Sequence, residues 1–127
     1  MTQTPAVVIP PDEAAAVSAD GATLPFRYAD PATGLAQDGF LVRHGGRLYA
    51  WRNQCRHQPM LLDFGDGDLL TADRRFLECR HHGALYEPDT GLCVAGPCLH
   101  ARLQALEVIE TEAGIEVRPP AAAPELE

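Results

Sequence analysis

Cys79-Arg80-His81-His82-Gly83-Ala84-Leu85-Tyr86-Glu87-Pro88-Asp89-Thr90-Gly91 follows directly on a strand-like run at 75–78. It sets a thiol and an imidazole three residues apart, adds a glycine, and closes on a Thr-Gly turn signal. A second pair lies upstream in Cys55-Arg56-His57. That pair comes just after a hairpin pattern, in which runs at 40–44 and 47–51 flank Gly45-Gly46. A two-residue loop of this composition favours positive φ. Both pairs therefore hang from strand ends, where two loops can close over one centre.

Outward from these pairs, short strand-like runs alternate with turn signals. The run at 6–9 is stopped by Pro10-Pro11, and 12–19 admits a helical turn. Residues 22–28 read as extended, and 30–34 as a turn. Further runs stand at 85–87, 92–95, 103–110 and 115–118, with Gly114 marking the last turn. Many short strands at regular spacing predict an all-β domain. No long segment has helical periodicity, and there is no internal repeat. The Pro/Ala-rich acidic end at 119–127 reads as a frayed tail.

C-x-H plus C-x-x-H is a Cys₂His₂ donor set. Zinc accepts it tetrahedrally. A [2Fe-2S] cluster accepts it with two cysteines on one iron and two histidines on the other. Ligand type alone leaves both open.

The flanking residues resemble the Rieske family. Its second cluster loop has C-x-x-H-G, an aromatic three residues later and a turn ending in Thr-Gly, matched here from Cys79 to Tyr86 and Thr90-Gly91. Gly96-Pro97 resembles the proline-bearing loop that covers the cluster. The stretch Leu48-Tyr49-Ala50-Trp51-Arg52-Asn53-Gln54-Cys55 resembles the strand that delivers the first loop. The resemblance covers about residues 38–118. It implies a β-sandwich base with a small cluster-binding subdomain at about 53–98, all within one domain at 1–118. It also implies that Cys55 and Cys79 hold the inner ferric iron. His57 and His82 would hold the outer iron, which becomes ferrous on reduction. Around them Gly83, Ala84, Tyr86, Pro97, Arg56, Arg80 and His81 are expected to form the surroundings of the cluster.

Several positions have rival readings. The C-x-x-H-G spacing favours His82 over His81 as ligand and makes His81 a surface neighbour. His44 and His100 have no evident partner. Cys93 and Cys98 are expected to be buried or half-buried thiols, with a disulfide between them as the alternative. The disulfide that joins the two loops in respiratory relatives has Met60 and His81 at its positions here and cannot form. High-potential relatives place a Ser and a Tyr as donors to cluster or ligand sulfur. Ala84 stands at the Ser position and Tyr86 at the Tyr position, so one donor is gone. Two further departures are the 21 residues between His57 and Cys79, longer than usual, and Arg80 where many relatives have proline. The excess length is expected in an acidic surface hairpin at 63–68, and Arg56 and Arg80 are expected to be solvated.

Composition bounds the function. The 127 residues fit one domain, and at 46% apolar residues they can build a core. A formal charge of −8 with no basic block speaks against nucleic acid and anionic membranes, and for a basic partner surface. The start, Met1-Thr2-Gln3-Thr4-Pro5, lacks a secretory or twin-arginine signal, and no apolar run has the length of a membrane span. A cytoplasmic place is expected, where cysteines serve as ligands or thiols. There is no dinucleotide fingerprint, and the length leaves no room for a catalytic iron domain.

The resemblance then implies a one-electron carrier that takes electrons from a reductase and gives them to a terminal oxidoreductase such as an oxygenase. The alternatives are a fixed relay subunit like the small subunit of assimilatory nitrite reductase, and a metal-bound redox-sensing module without turnover.

Overall fold

The computed structural model describes residues 7–30, 34–55, 61–63, 69–80 and 83–118. These residues form β1 (Val7–Ile9), α1 (Pro11–Ala14), a 3-10 turn (Ala15–Val17), β2 (Thr23–Ala29), β3 (Ala36–His44) and β4 (Arg47–Arg52). They continue with β5 (Leu77–Glu78), β6 (Leu85–Tyr86), β7 (Cys93–Ala95), β8 (Ala105–Thr111) and β9 (Gly114–Arg118). The domain is all-β, as expected. The tail at 119–127 lies outside the described residues.

The strands make a six-stranded sheet, β1-β9-β8-β4-β3-β2, and a three-stranded sheet, β5-β6-β7. Every pairing is antiparallel. The hairpin expected around Gly45-Gly46 is present, with His44 opposite Arg47 and φ of 62° and 82° at the two glycines. Such angles match the right-handed twist of the flanking strands. Gly114 stands at the β8–β9 turn, as expected, and has a further task. It opens β9, opposite Thr111, and a Cβ there would collide with the Ile9 carbonyl. The glycine thus lets β1 approach the β8–β9 turn.

Two apolar cores lie on opposite faces of the β3–β4 hairpin, because side chains alternate along a strand. Leu41 and Ala50 join Ile9, Val17, Tyr28, Leu106, Ile115 and Val117. Phe40, Val42 and Trp51 join the side chains of the small sheet and its loops. That double burial explains the unbroken apolar run Phe40-Leu41-Val42. Arg43 closes one end, donating from Nε to the Val17 carbonyl at 2.8 Å and forking onto both carboxylate oxygens of Glu110.

Trp51 fixes the small sheet to the large one. Its indole N–H donates to the Pro88 carbonyl at 2.9 Å, and its ring lies where a Cβ on Gly91 would have to go. The turn carrying Thr90-Gly91 is held by Gly91 N–H on the Glu87 carbonyl and by Thr90 Oγ1 on Glu87. Strand β4, which leads toward Cys55, and the turn beyond Tyr86 are therefore locked together.

Candidate metal centre

Cys55 and Cys79 each sit just beyond the end of a strand. Cys55 lies three residues beyond β4, and Cys79 directly follows β5. Both thiols are buried, within the core that Trp51 joins. His57 and His82, the expected imidazole donors, lie outside the described residues, as do Arg56 and His81. Among the described residues no group of three or more His, Cys, Asp or Glu forms a metal-holding cluster.

The base of the first loop is clamped by residues that spacing did not reveal. Asn53 and Asp63 are both buried, at 7% and 3% exposure. Asn53 Oδ1 accepts from the Leu62 amide at 2.7 Å, and its Nδ2 donates to Asp63 at 3.1 Å. One amide side chain thus closes the loop of 54–61. The expectation of a surface acidic hairpin fails at its first residue, because Asp63 is an interior acceptor. Residues 64–68 lie outside the described residues.

The second loop is closed by bonds between its described ends. Gly83 N–H bonds to the Cys79 carbonyl at 2.8 Å, and Cys79 N–H bonds to the Ala84 carbonyl at 2.8 Å. Gly83 has φ 78°, a conformation that costs glycine nothing sterically. Ala84 is buried while Gly83 is exposed. A third loop lies against Ala84: a Cβ on Gly96 would come 2.7 Å from Ala84 Cα. Pro97, next in that loop, is exposed.

Arg80 departs from its expected role. It is half-buried, with Nη1 on Glu78 at 2.9 Å and Nη2 on the Leu70 carbonyl at 2.7 Å. Its charge is therefore already paired beside the centre instead of standing free in solvent.

Tyr86 belongs to the core, and its hydroxyl meets two sulfurs. It is fully buried, and its hydroxyl lies 3.5 Å from Cys55 Sγ and 2.9 Å from Cys98 Sγ. Cys93 and Cys98 are thiols, as expected, with their sulfurs 3.4 Å apart. Burial pushes the Cys98 thiol up to about 11, so it keeps its proton at neutral pH.

The donor chemistry fits a [2Fe-2S] cluster. An uncharged thiol in an apolar core needs no hydroxyl aimed at it, whereas a metal-bound thiolate is stabilised by one. Cys55 and Cys79, both buried, would supply the two sulfurs that such a cluster takes on one iron.

Comparison with known proteins points to the same cofactor. The model of the Rieske [2Fe-2S] domain family matches residues 14–112. The ferredoxin of carbazole 1,9a-dioxygenase from Nocardioides aromaticivorans IC177 is similar at 27% identity and a TM-score of 0.66. That match covers 92% of this chain and 99% of that one. A structure described as a complex of reduced oxygenase and oxidised ferredoxin in carbazole 1,9a-dioxygenase matches at 25% identity and TM-score 0.55, over 81% of this chain and 84% of that one. The terminal oxygenase of carbazole 1,9a-dioxygenase from Novosphingobium sp. KA1 shares the fold, at 19% identity and TM-score 0.68. There the match covers 96% of this chain and 31% of the oxygenase. Among curated proteins, none matches the chain.

Proposed function

The chain belongs to the Rieske [2Fe-2S] domain family, and from that premise we propose that it is a soluble one-electron carrier, passing electrons from a reductase to a terminal oxidoreductase such as an oxygenase. One observation carries this reading: the likeness to a dioxygenase ferredoxin, which takes in 92% of this chain and 99% of that one. A bound [2Fe-2S] cluster supplies the one-electron couple. In this reading Cys55 and Cys79 hold one iron, and His57 and His82 hold the other. The cluster-binding subdomain spans about 53–98 of a single domain at 1–118.

The residues around the thiolates set the potential. Neutral imidazole in place of thiolate removes negative charge and favours reduction. Tyr86 adds a hydrogen bond toward Cys55, but Ala84 cannot supply a second. Arg80 adds little, because Glu78 pairs its charge. The midpoint is therefore expected in the lower part of the Rieske range of about −150 to +300 mV.

The carrier itself turns nothing over in this reading, and it works in the cytoplasm. Partners dock at the His57/His82 tip, and the formal charge of −8 suits basic partner faces. A free shuttle is favoured over a fixed subunit by the surface. Among the described residues the well-exposed large apolar side chains are Val8, Leu35 and Leu99. Val8 lies on one edge strand of the large sheet, Leu35 just before β3 near the opposite edge, and Leu99 beyond β7. Such scattered residues do not make a wide interface. No described helix is long and apolar enough to cross a membrane.

The test is purification, visible absorption and EPR, then reduction by a flavin reductase and reoxidation by a Rieske oxygenase. A Rieske spectrum with turnover-linked oxidation is expected. A colourless zinc protein would refute the reading.

A further inference from the structure

Tyr86 stands between two sulfurs, and only one of them is an expected ligand. Its hydroxyl is 3.5 Å from Cys55 Sγ and 2.9 Å from Cys98 Sγ. Cys98 in turn lies 3.4 Å from Cys93 Sγ, and Cys93 donates its own S–H to the Ala95 carbonyl at 3.2 Å. Tyr86 and Cys98 therefore have one proton each to place among these contacts. Two arrangements put a proton in the short Tyr86–Cys98 contact. In one, Cys98 donates to Tyr86 and Tyr86 donates to Cys55. In the other, Tyr86 donates to Cys98 and Cys98 donates to Cys93, which turns the hydroxyl away from the ligand.

The acceptors decide between them. A thiolate bound to iron carries charge and accepts more strongly than a neutral thiol. For the Cys98 proton, the phenolic oxygen at 2.9 Å is nearer than Cys93 Sγ at 3.4 Å, and oxygen is the better acceptor. Donors in series polarise one another, so the second bond strengthens the first. We infer that Cys98, which binds no iron, is a positioning residue that holds the Tyr86 proton on Cys55 and thereby raises the cluster's midpoint potential.

The backbone is shaped to put Cys98 there. Gly96, at φ 102°, allows its loop to lie against Ala84. The Cys93 carbonyl accepts from His100 N–H at 2.9 Å, and the Cys98 carbonyl accepts from Ala101 N–H at 2.9 Å. With alanine at position 84, the Cys98–Tyr86 route is what reinforces the donor that remains.

The inference rests on Cys55 being a cluster ligand, and the experiment separates the two. In the holoprotein, Tyr86→Phe should lower the midpoint. Cys98→Ala should lower it by a smaller amount, and Cys98→Ser, which keeps a donor, should hold it at or above the parent. Cys98→Ala added to Tyr86→Phe should cause no further shift. Pulsed EPR of the reduced protein in light and heavy water supplies a second readout. The exchangeable proton coupling that vanishes in Tyr86→Phe should weaken in Cys98→Ala and return in Cys98→Ser. An unchanged or raised midpoint in Cys98→Ala, or full additivity with Tyr86→Phe, overturns the role of Cys98. Retention of a normal Rieske spectrum in Cys55→Ser overturns the underlying ligand assignment instead.

Discussion

The backbone N–H of Arg80 donates to the Leu62 carbonyl at 2.7 Å. Leu62 sits at the return end of the first loop, and Arg80 directly follows Cys79 in the second. This bond ties the two ligand loops together in a chain that lacks the cysteines for an inter-loop disulfide. A proline, the residue many relatives carry after the second cysteine, has no N–H to make it. Arg80→Pro should therefore destabilise the holoprotein by about 1–3 kcal/mol. Arg80→Ala keeps the amide and loses only the half-exposed side-chain bonds, so it should cost less. Urea midpoints of the two variants decide it; an Arg80→Ala loss larger than that of Arg80→Pro would show that the side chain matters more than the tie.

Asn53 holds the other side of that loop. Asn53→Ala removes the acceptor of the Leu62 amide and one donor to Asp63, in a site only 7% and 3% exposed. Buried polar groups stripped of a partner cost about 1–3 kcal/mol each. Cluster loading should also drop, since Asn53 stands two residues before Cys55. Asn53→Asp should be worse than Asn53→Ala at neutral pH, because it faces Asp63 with a second carboxylate. Iron content and denaturation curves measure both effects, and equal behaviour of the two variants would contradict the clamp.

Ligand identity is tested by colour, EPR and pH. Cys55→Ser, Cys79→Ser and His82→Ala should each abolish normal cluster assembly, while His81→Ala should leave a red-brown holoprotein. Imidazoles of His57 and His82 bound to the outer iron would each keep a ring N–H, more acidic when the iron is ferric. The reduced form then holds protons more tightly, so the midpoint should fall as pH rises through the oxidised form's titration. A bleached His81→Ala, or a midpoint flat across the alkaline range, would count against this pair of histidines.

Alkali should weaken the fold through Cys98. Burial lifts its thiol from the usual 9.0 to about 11. Between those values the unfolded chain has lost the proton and the folded chain has not, so stability falls as pH rises through that window and is unaffected below it. Tyr28, raised by burial as well, adds a loss of the same sign from its usual value of 10.0 upward. Cys98→Ala should flatten the stability-versus-pH slope between about 9 and 11 in denaturation series. The same slope in variant and parent would remove Cys98 as its source.

The sequence made some of this visible and hid the rest for physical reasons. The β3–β4 hairpin was legible because two glycines supply positive φ between two apolar runs. The cysteine pairs were legible because their spacing is local. Strand neighbours such as β4 with β8 were not, since periodicity records which face is buried and not which strand lies alongside. The run at 75–78 came out shorter, as Leu77–Glu78, because Asp73 accepts from Thr71 Oγ1 and the Arg75 amide and holds that stretch in a turn. Asn53 with Asp63, and Tyr86 with Cys98, are polar pairs ten and twelve residues apart. Nothing in residue type marks such partners until the loops close. Proline's absence at Arg80 read only as a departure from the family pattern, and the Leu62 carbonyl shows what the amide does.

The sharing of β3 between two cores bears on the order of folding. β3 meets β4 across two residues, a closure that costs little chain entropy, whereas β1 must find β9 across Val7 and Val117. The hairpin is expected to form early and present one template face to each half of the protein, with the β1–β9 edge added late. Truncating Leu41 should then slow refolding, while Ile115→Val should mainly speed unfolding. Stopped-flow chevrons of the two variants would report it, and a slower refolding limb for Ile115→Val would reverse the order. Iron would therefore meet a chain in which Cys55, the first of the proposed ligands, already hangs from a finished strand.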